Sequence, residues 1–166
     1  MKPQKELLLL RHGKSDWNTD STDYYRPLTQ RGKHNAQQMG EWLLRQQLQP
    51  DLIISSPALR ALSTAEISCE AMDIPIQSIQ TDEIIYEASL SNLIQLLANI
   101  PNEIERLLLV GHNPGFEQLL SYFVPTIAMP EDFKLMPTSA LAYLQVDSQW
   151  SVLKGNHKIQ RAKDLA

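Results

Sequence analysis

Three short clusters hold the residues that could do chemistry. Arg11-His12-Gly13 follows four leucines, Leu7 to Leu10. Ser55-Ser56 follows Leu52-Ile53-Ile54, with Arg60 one helical turn later, and Gly111-His112-Asn113 follows Arg106 to Val110. Each cluster stands at the end of an apolar run that reads as a buried strand. Ligands of open α/β sheets gather beyond the carboxyl ends of the strands. Three such ends put two arginines, two histidines and two helix amino termini within reach of one crevice. Helix amino termini present unpaired N–H groups and partial positive charge. Arginine adds permanent charge and a fork suited to phosphate oxygens. The pattern predicts a phosphate site. A lone histidine after a strand is ordinarily structural and a lone arginine early in a helix ordinarily solvated, so the conjunction carries the inference. Gly13 is expected to bend the backbone and bring it close to a ligand.

The elements that must position these groups can be read in order. Residues 6–10 form the first strand. A polar loop from Asn18 to Tyr25 leads into Arg26-Pro27-Leu28-Thr29, and Thr29 is placed to cap a helix running to Gln47 with apolar residues at helical spacing. Leu52-Ile53-Ile54 is a second strand. Ser56 reads as the cap of a helix from Pro57 to Met72, with the proline in its first turn. Ile76 to Thr81 is a weaker third strand, and a helix follows from about Leu90 to Ala98 with Ser89 or Ser91 as cap. Arg106 to Val110 is the fourth strand, and a helix then runs to Tyr122. Pro125 to Pro137 is irregular. Ala140 to Val146 alternates like a half-buried strand, with Trp150 to Leu153 as its hairpin partner. Strands alternating with helices argue for one α/β domain over residues 1–166: a layered sheet, mostly parallel with an antiparallel C-terminal edge and helices on both faces.

Composition narrows the function classes. The 166 residues are 43% hydrophobic and 20% charged, ordinary for one globular domain with a core of its own. Nothing approaches the length of a membrane span or a secretory leader, so no membrane is expected and the cytoplasm is the default. A net charge of −4 argues against a nucleic-acid partner. Lys154, Lys158, Arg161 and Lys163 read as a solvated end. Cys69 is the single cysteine and reads as a buried hydrophobe. His34 and His157 match no motif and read as surface residues. The sequence carries no mark of oligomeric state.

The order of the clusters adds a resemblance. Arg11-His12-Gly13, then Ser-Ser-Pro-x-x-Arg-Ala-x-x-Thr-Ala over Ser55 to Ala65, then Gly-His-Asn-Pro over Gly111 to Pro114, resembles the histidine phosphatase (phosphoglycerate mutase-like) superfamily across about residues 6 to 124. Tyr25-Arg26-Pro27-Leu28-Thr29-x-Arg31-Gly32 and the short chain resemble its SixA-type phosphohistidine phosphatases. Ser15-x-Trp17-Asn18 is shared with the mutase-like members.

The resemblance and the chemistry agree on roles. His12 is the candidate nucleophile; it must be neutral, so its other nitrogen should donate to a fixed acceptor, and nearby arginines would disfavour its protonation. Arg11 and Arg60 would bind the phosphoryl oxygens and stabilise the group in transit. His112 would donate to the same group. Family members that cleave esters use a carboxylic acid on a loop before a helix, which implies Glu87, with Glu83 as competitor and Asp82 behind it. The resemblance also implies Arg26 folded over the phosphate; Ser15 and Asn113 are polar contacts at the rim. No metal or other cofactor is implied. The expected substrate is a protein phosphohistidine, with a small phosphoester as alternative and a phospholigand-binding module without turnover as the reading from another class.

Overall fold

The computed structural model describes residues 4–125, 127–132, 134–146, 149–150 and, as backbone, 157–160. Six strands form one sheet in the order β3-β2-β4-β1-β5-β6: β1 (Lys5–Arg11), β2 (Leu52–Ser55), β3 (Ile79–Thr81), β4 (Arg106–Gly111), β5 (Leu141–Val146) and β6 (His157–Gln160). The pairs β1·β4, β2·β4 and β2·β3 are parallel, and β1·β5 and β5·β6 antiparallel. The helices are α1 (Gln30–Arg45), α2 (Leu59–Ala71), α3 (Leu90–Ala98) and α4 (Gly115–Phe123). Among the described residues, no helix is long and apolar enough to cross a membrane.

Side chains alternate between the faces of a strand, and that alternation divides the core. Leu8, Leu10, Ile53, Leu108 and Val110 point to one side, where Met39 and Leu43 of α1 and Ala61, Ala65 and Cys69 of α2 cover them. Leu7, Leu9, Ile54, Leu107 and Leu109 point to the other, under Leu93 and Leu97 of α3 and Phe116 and Leu120 of α4. Strands covered on both faces read as continuous apolar runs rather than alternating ones. The Ser68 hydroxyl donates to the Ala36 carbonyl (3.0 Å) and ties α2 to α1.

Several local expectations hold and several change. Thr29 caps α1, its hydroxyl accepting from Gly32 N–H (3.0 Å), and Ser89 caps α3 through Asn92 N–H (3.1 Å). Helix α1 stops at Arg45, because Gln47 takes a left-handed φ of 57°. Helix α2 begins at Leu59 rather than Pro57; Ser56 still accepts from Ala58 N–H (3.2 Å), but before the first helical residue. The expected third strand opens as a 3-10 turn over Ile76–Ser78 and becomes extended only at Ile79. The partner of β5 is His157–Gln160, not a strand from Trp150. Trp150 is instead buried, and its indole N–H donates to the Ile104 carbonyl (3.0 Å). Leu153, Lys154, Arg161 and Lys163 lie outside the described residues.

Gly13 differs in its reason. None of the described glycines has a positive φ, so it makes no left-handed bend. Its missing side chain lets the backbone lie against α1: a Cβ there would meet the Gly32 carbonyl oxygen at 2.8 Å, and a Cβ on Gly32 would meet the Lys14 carbonyl oxygen at 2.3 Å. Gly32→Ala should therefore push α1 off the segment that carries His12. We expect a loss of about 3 kcal/mol and a Tm lower by roughly 10 °C in thermal denaturation. An unchanged Tm would show that the two backbones are not held in contact.

Candidate active site

The sheet brings the three strand ends together. His12 N–H donates to the Gly111 carbonyl (3.0 Å) and Ser56 N–H to the Val110 carbonyl (2.9 Å), so each cluster is knitted to the next just beyond the last paired residues. The His12 and His112 rings sit 5.2 Å apart between centroids. His12, His112 and Arg60 are all buried, at 7%, 8% and 6% exposure.

Each imidazole is fixed on one nitrogen. His12 Nδ1–H donates to the Gly13 carbonyl (2.7 Å), the acceptor the chemistry asked for, which leaves Nε2 with its lone pair. Gly13 is itself anchored, its N–H donating to the Thr64 hydroxyl (3.0 Å), which donates to the Arg60 carbonyl (2.7 Å). His112 Nε2 lies 2.7 Å from the Ser56 hydroxyl, while its Nδ1 is buried without a partner among the described residues.

Burial pushes His12 down to about 4, with Arg11, Arg60 and Arg26 adding to the fall and the Gly13 carbonyl opposing it. Burial also takes His112 to about 3, helped by His12, Arg60 and Arg11 against Asp23. Desolvation is thus a larger cause than the arginines anticipated for His12. Both rings are neutral at pH 7. In the unfolded chain a histidine titrates near 6.5, so below that pH the unfolded state takes up protons that the folded state refuses. Stability should fall as pH drops from 6.5 through about 4 and level off below, by an amount on the order of 3 kcal/mol for His12 alone. Urea midpoints across this range, compared with His12→Gln, measure it; equal slopes for both proteins would count against a depressed His12.

The arginines surround the rings, and an acidic residue joins two of them. Arg11 Nη1 donates to the Met136 carbonyl (3.0 Å), and its Nε is buried without a partner among the described residues. Arg60 gives Nη1–H to the Asp23 carbonyl (2.6 Å) and Nη2–H to the Asp23 carboxylate (3.1 Å). Arg26 donates to the same carboxylate (2.7 Å) and to the Ser15 hydroxyl (2.9 Å), with its guanidinium 3.7 Å over the Trp17 ring. Tyr86 O–H donates to Asp23 at 2.6 Å. That bond, followed by the arginines, holds the Asp23 carboxyl at about 2 and in turn lifts the Tyr86 phenol to about 12.

A cavity of about 340 Å³ opens beside the histidines, lined by Asp23, Arg60, Tyr86, Glu87, His112 and Asn113 among others. Glu87 is exposed on its wall, in a left-handed conformation (φ 55°). Its competitors are engaged elsewhere: Glu83 accepts from Tyr24 O–H (3.1 Å), and Asp82 caps a 3-10 turn through Ile84 N–H (3.0 Å). Asn113 Nδ2 donates to the Met136 carbonyl (2.8 Å), and its Oδ1 is buried and unpartnered among the described residues. Arg11, His12, Arg60, His112, Glu87, Arg26 and Asn113 are thus gathered here, whereas Ser15, expected at the rim, is buried and accepts from Arg26.

Four further residues escaped sequence reasoning. Asp23 precedes Arg26 by three positions and Tyr86 adjoins Glu87, spacings too ordinary to single out. Thr64 was visible only as part of a motif. Ser139 donates its N–H to the His12 carbonyl (3.0 Å), has a left-handed φ of 62°, and buries a hydroxyl without a partner among the described residues. No local signal marks it.

A family model described as histidine phosphatase superfamily (branch 1) matches residues 7–104. The 2,3-bisphosphoglycerate-dependent phosphoglycerate mutase of Bifidobacterium longum is 40% identical over 80 residues, 43% of this chain, and that match spans only 32% of the mutase. Phosphohistidine phosphatase SixA of Escherichia coli is 26% identical over 164 residues, covering 95% of this chain and 99% of the relative. A solved structure of the protein histidine phosphatase SixA complexed with tungstate shares the fold, with a TM-score of 0.83 at 24% identity over 97% of this chain and 99% of that one.

Proposed function

The chain belongs to the histidine phosphatase superfamily, and on that premise we propose that it hydrolyses protein phosphohistidine through a phosphoryl intermediate on His12. The observation that carries this reading is the pair of neutral, buried imidazoles set among Arg11, Arg26 and Arg60, one of them with a free Nε2 lone pair. Anion binding alone needs no nucleophile, so the arrangement favours turnover over a silent binding module.

In the first step the His12 Nε2 lone pair attacks phosphorus, and the bond from phosphorus to the substrate nitrogen breaks. Arg11 and Arg60 hold the oxygens while charge spreads over them. A substrate imidazole already protonated on its other nitrogen departs neutral, and needs no strong acid. Water then attacks the phosphoryl group, His12 leaves with its lone pair restored, and inorganic phosphate carries the proton away. An ester is harder, because an alkoxide must be protonated as it departs. The position of Glu87 on the cavity wall favours phosphoester cleavage as the second reading, with Glu87 as acid.

Turnover of a phosphohistidine protein and of a panel of phosphoesters, with a chelator present, tests the choice. Glu87→Gln should lower ester turnover by about 100-fold and leave phosphohistidine turnover within a few-fold. Faster wild-type turnover of esters than of phosphohistidine would reverse the ranking. Activity lost to the chelator would overturn metal independence.

A further inference from the structure

We infer that Ser56 is a positioning residue that holds His112 with its proton on Nδ1, so that His112 offers an N–H to the phosphoryl group while His12 offers a lone pair. The consequence for turnover rests on the reaction proposed above; the proton placement is a property of the free protein.

The Ser56 hydroxyl oxygen lies 3.2 Å from Ala58 N and 2.7 Å from His112 Nε2. A backbone N–H can only donate, so Ala58 takes one lone pair of that oxygen. If His112 Nε2 also carried a proton, both neighbours would donate to Ser56 and its own proton would need another acceptor. Ser56 is fully buried, and a stranded hydroxyl proton there is costly. The hydroxyl therefore donates to Nε2, and the ring proton sits on Nδ1.

That nitrogen is the one left buried without a partner, in a ring lining the cavity. No acceptor among the described residues meets it, and a phosphoryl oxygen has the right chemistry. His12 carries its proton on Nδ1 as well, because the Gly13 carbonyl it meets can only accept. The two rings thus share a tautomer and present opposite atoms to the substrate. One hydroxyl of the Ser55–Ala65 stretch acts on each: Ser56 directly on His112, and Thr64 on His12 through Gly13.

Without Ser56, His112 is free to move its proton to Nε2, and a bare Nδ1 would then face phosphoryl oxygens. Loss of the donor also removes a bond that favours the neutral ring. Around His112 the charged or titratable groups are His12, Arg60, Asp23 and Arg11, with Tyr86 packed edge-on at 5.7 Å. The net of these and burial keeps the ring neutral with Ser56 present.

Ring-nitrogen couplings in 15N-labelled protein read the tautomers directly. Wild type should show His12 and His112 with the proton on Nδ1, against exposed His34 as an internal reference. In Ser56→Ala, His112 should shift towards the Nε2 tautomer with His12 unchanged. kcat should fall about 10- to 100-fold, the Tm should fall by a few degrees as Ala58 N–H loses its acceptor, and the acid limb of the rate profile should move to higher pH. Ser56→Cys, a weaker donor, should fall between, and serves if the alanine variant does not fold. A wild-type His112 with its proton on Nε2 would overturn the inference. So would a Ser56→Ala protein that loses stability, as a lost cap would cause, while keeping its His112 tautomer and kcat. If the wild type cleaves no phosphorylated substrate, the proposed function fails, and the spectra still decide the placement of the proton.

Discussion

His12→Ala should lower kcat/KM by about 10⁴-fold or more on every phosphorylated substrate, with far-UV circular dichroism unchanged. The size follows from what is lost. Nε2 of His12 is the unoccupied nitrogen of a ring whose other nitrogen is committed to the Gly13 carbonyl, and burial keeps it unprotonated. The neighbouring imidazole cannot replace it, because His112 has its Nε2 against Ser56. Acid-quenched reactions with a 32P-labelled substrate give a second readout: label should appear on the wild-type protein and be absent from the variant. Retention of full turnover by His12→Ala would sink the covalent mechanism.

Arg60→Ala should cost about 10³-fold in kcat/KM, close to the loss on removing a positioned donor from an oxyanion site. Its guanidinium is nearly buried and braced by two contacts to Asp23. A lysine cannot reproduce that fork, so Arg60→Lys should recover only a small part of the loss. Arg26→Ala should cost less than Arg60→Ala, since Arg26 reaches the site from the loop. Steady-state kinetics of the three variants rank them, and an Arg60→Ala enzyme within tenfold of wild type would remove Arg60 from the reaction.

The strand ends were legible in the sequence because two rules act locally. A run such as Leu7 to Leu10 must be covered on both faces, and an abrupt change to Arg-His or Gly-His marks where the covering stops. Caps such as Thr29 and Ser89 are equally local. What stayed hidden depends on residues far apart in the chain. Asp23 gains its place only when the loop before α1 meets Arg60 and Tyr86, partners 37 and 63 positions away. Glu83 is one strand-end residue among several until Tyr24 occupies it. Trp150 has the composition of a strand residue, yet its indole N–H finds the Ile104 carbonyl, and burial of a large ring outweighs extension of the backbone. Gly13 reads in the sequence as a bend that brings the backbone to a ligand, yet what its missing Cβ admits is Gly32, nineteen positions on and invisible to local reading.

The place of β1 in the sheet has a consequence for how the chain comes to be folded. Lys5–Arg11 bonds on one side to Arg106–Gly111 and on the other to Leu141–Val146, so both neighbours are made about a hundred residues or more after it. During synthesis β1 is therefore made well before either of the strands that pair with it. Until they are made, Leu7 to Leu10 are an adhesive edge of the kind that holding chaperones shield. Insertion of that strand is also the event that joins His12 to Gly111 and Arg11 to Ala140. Without β1 in place the sheet carries neither Arg11 nor His12 at its strand ends.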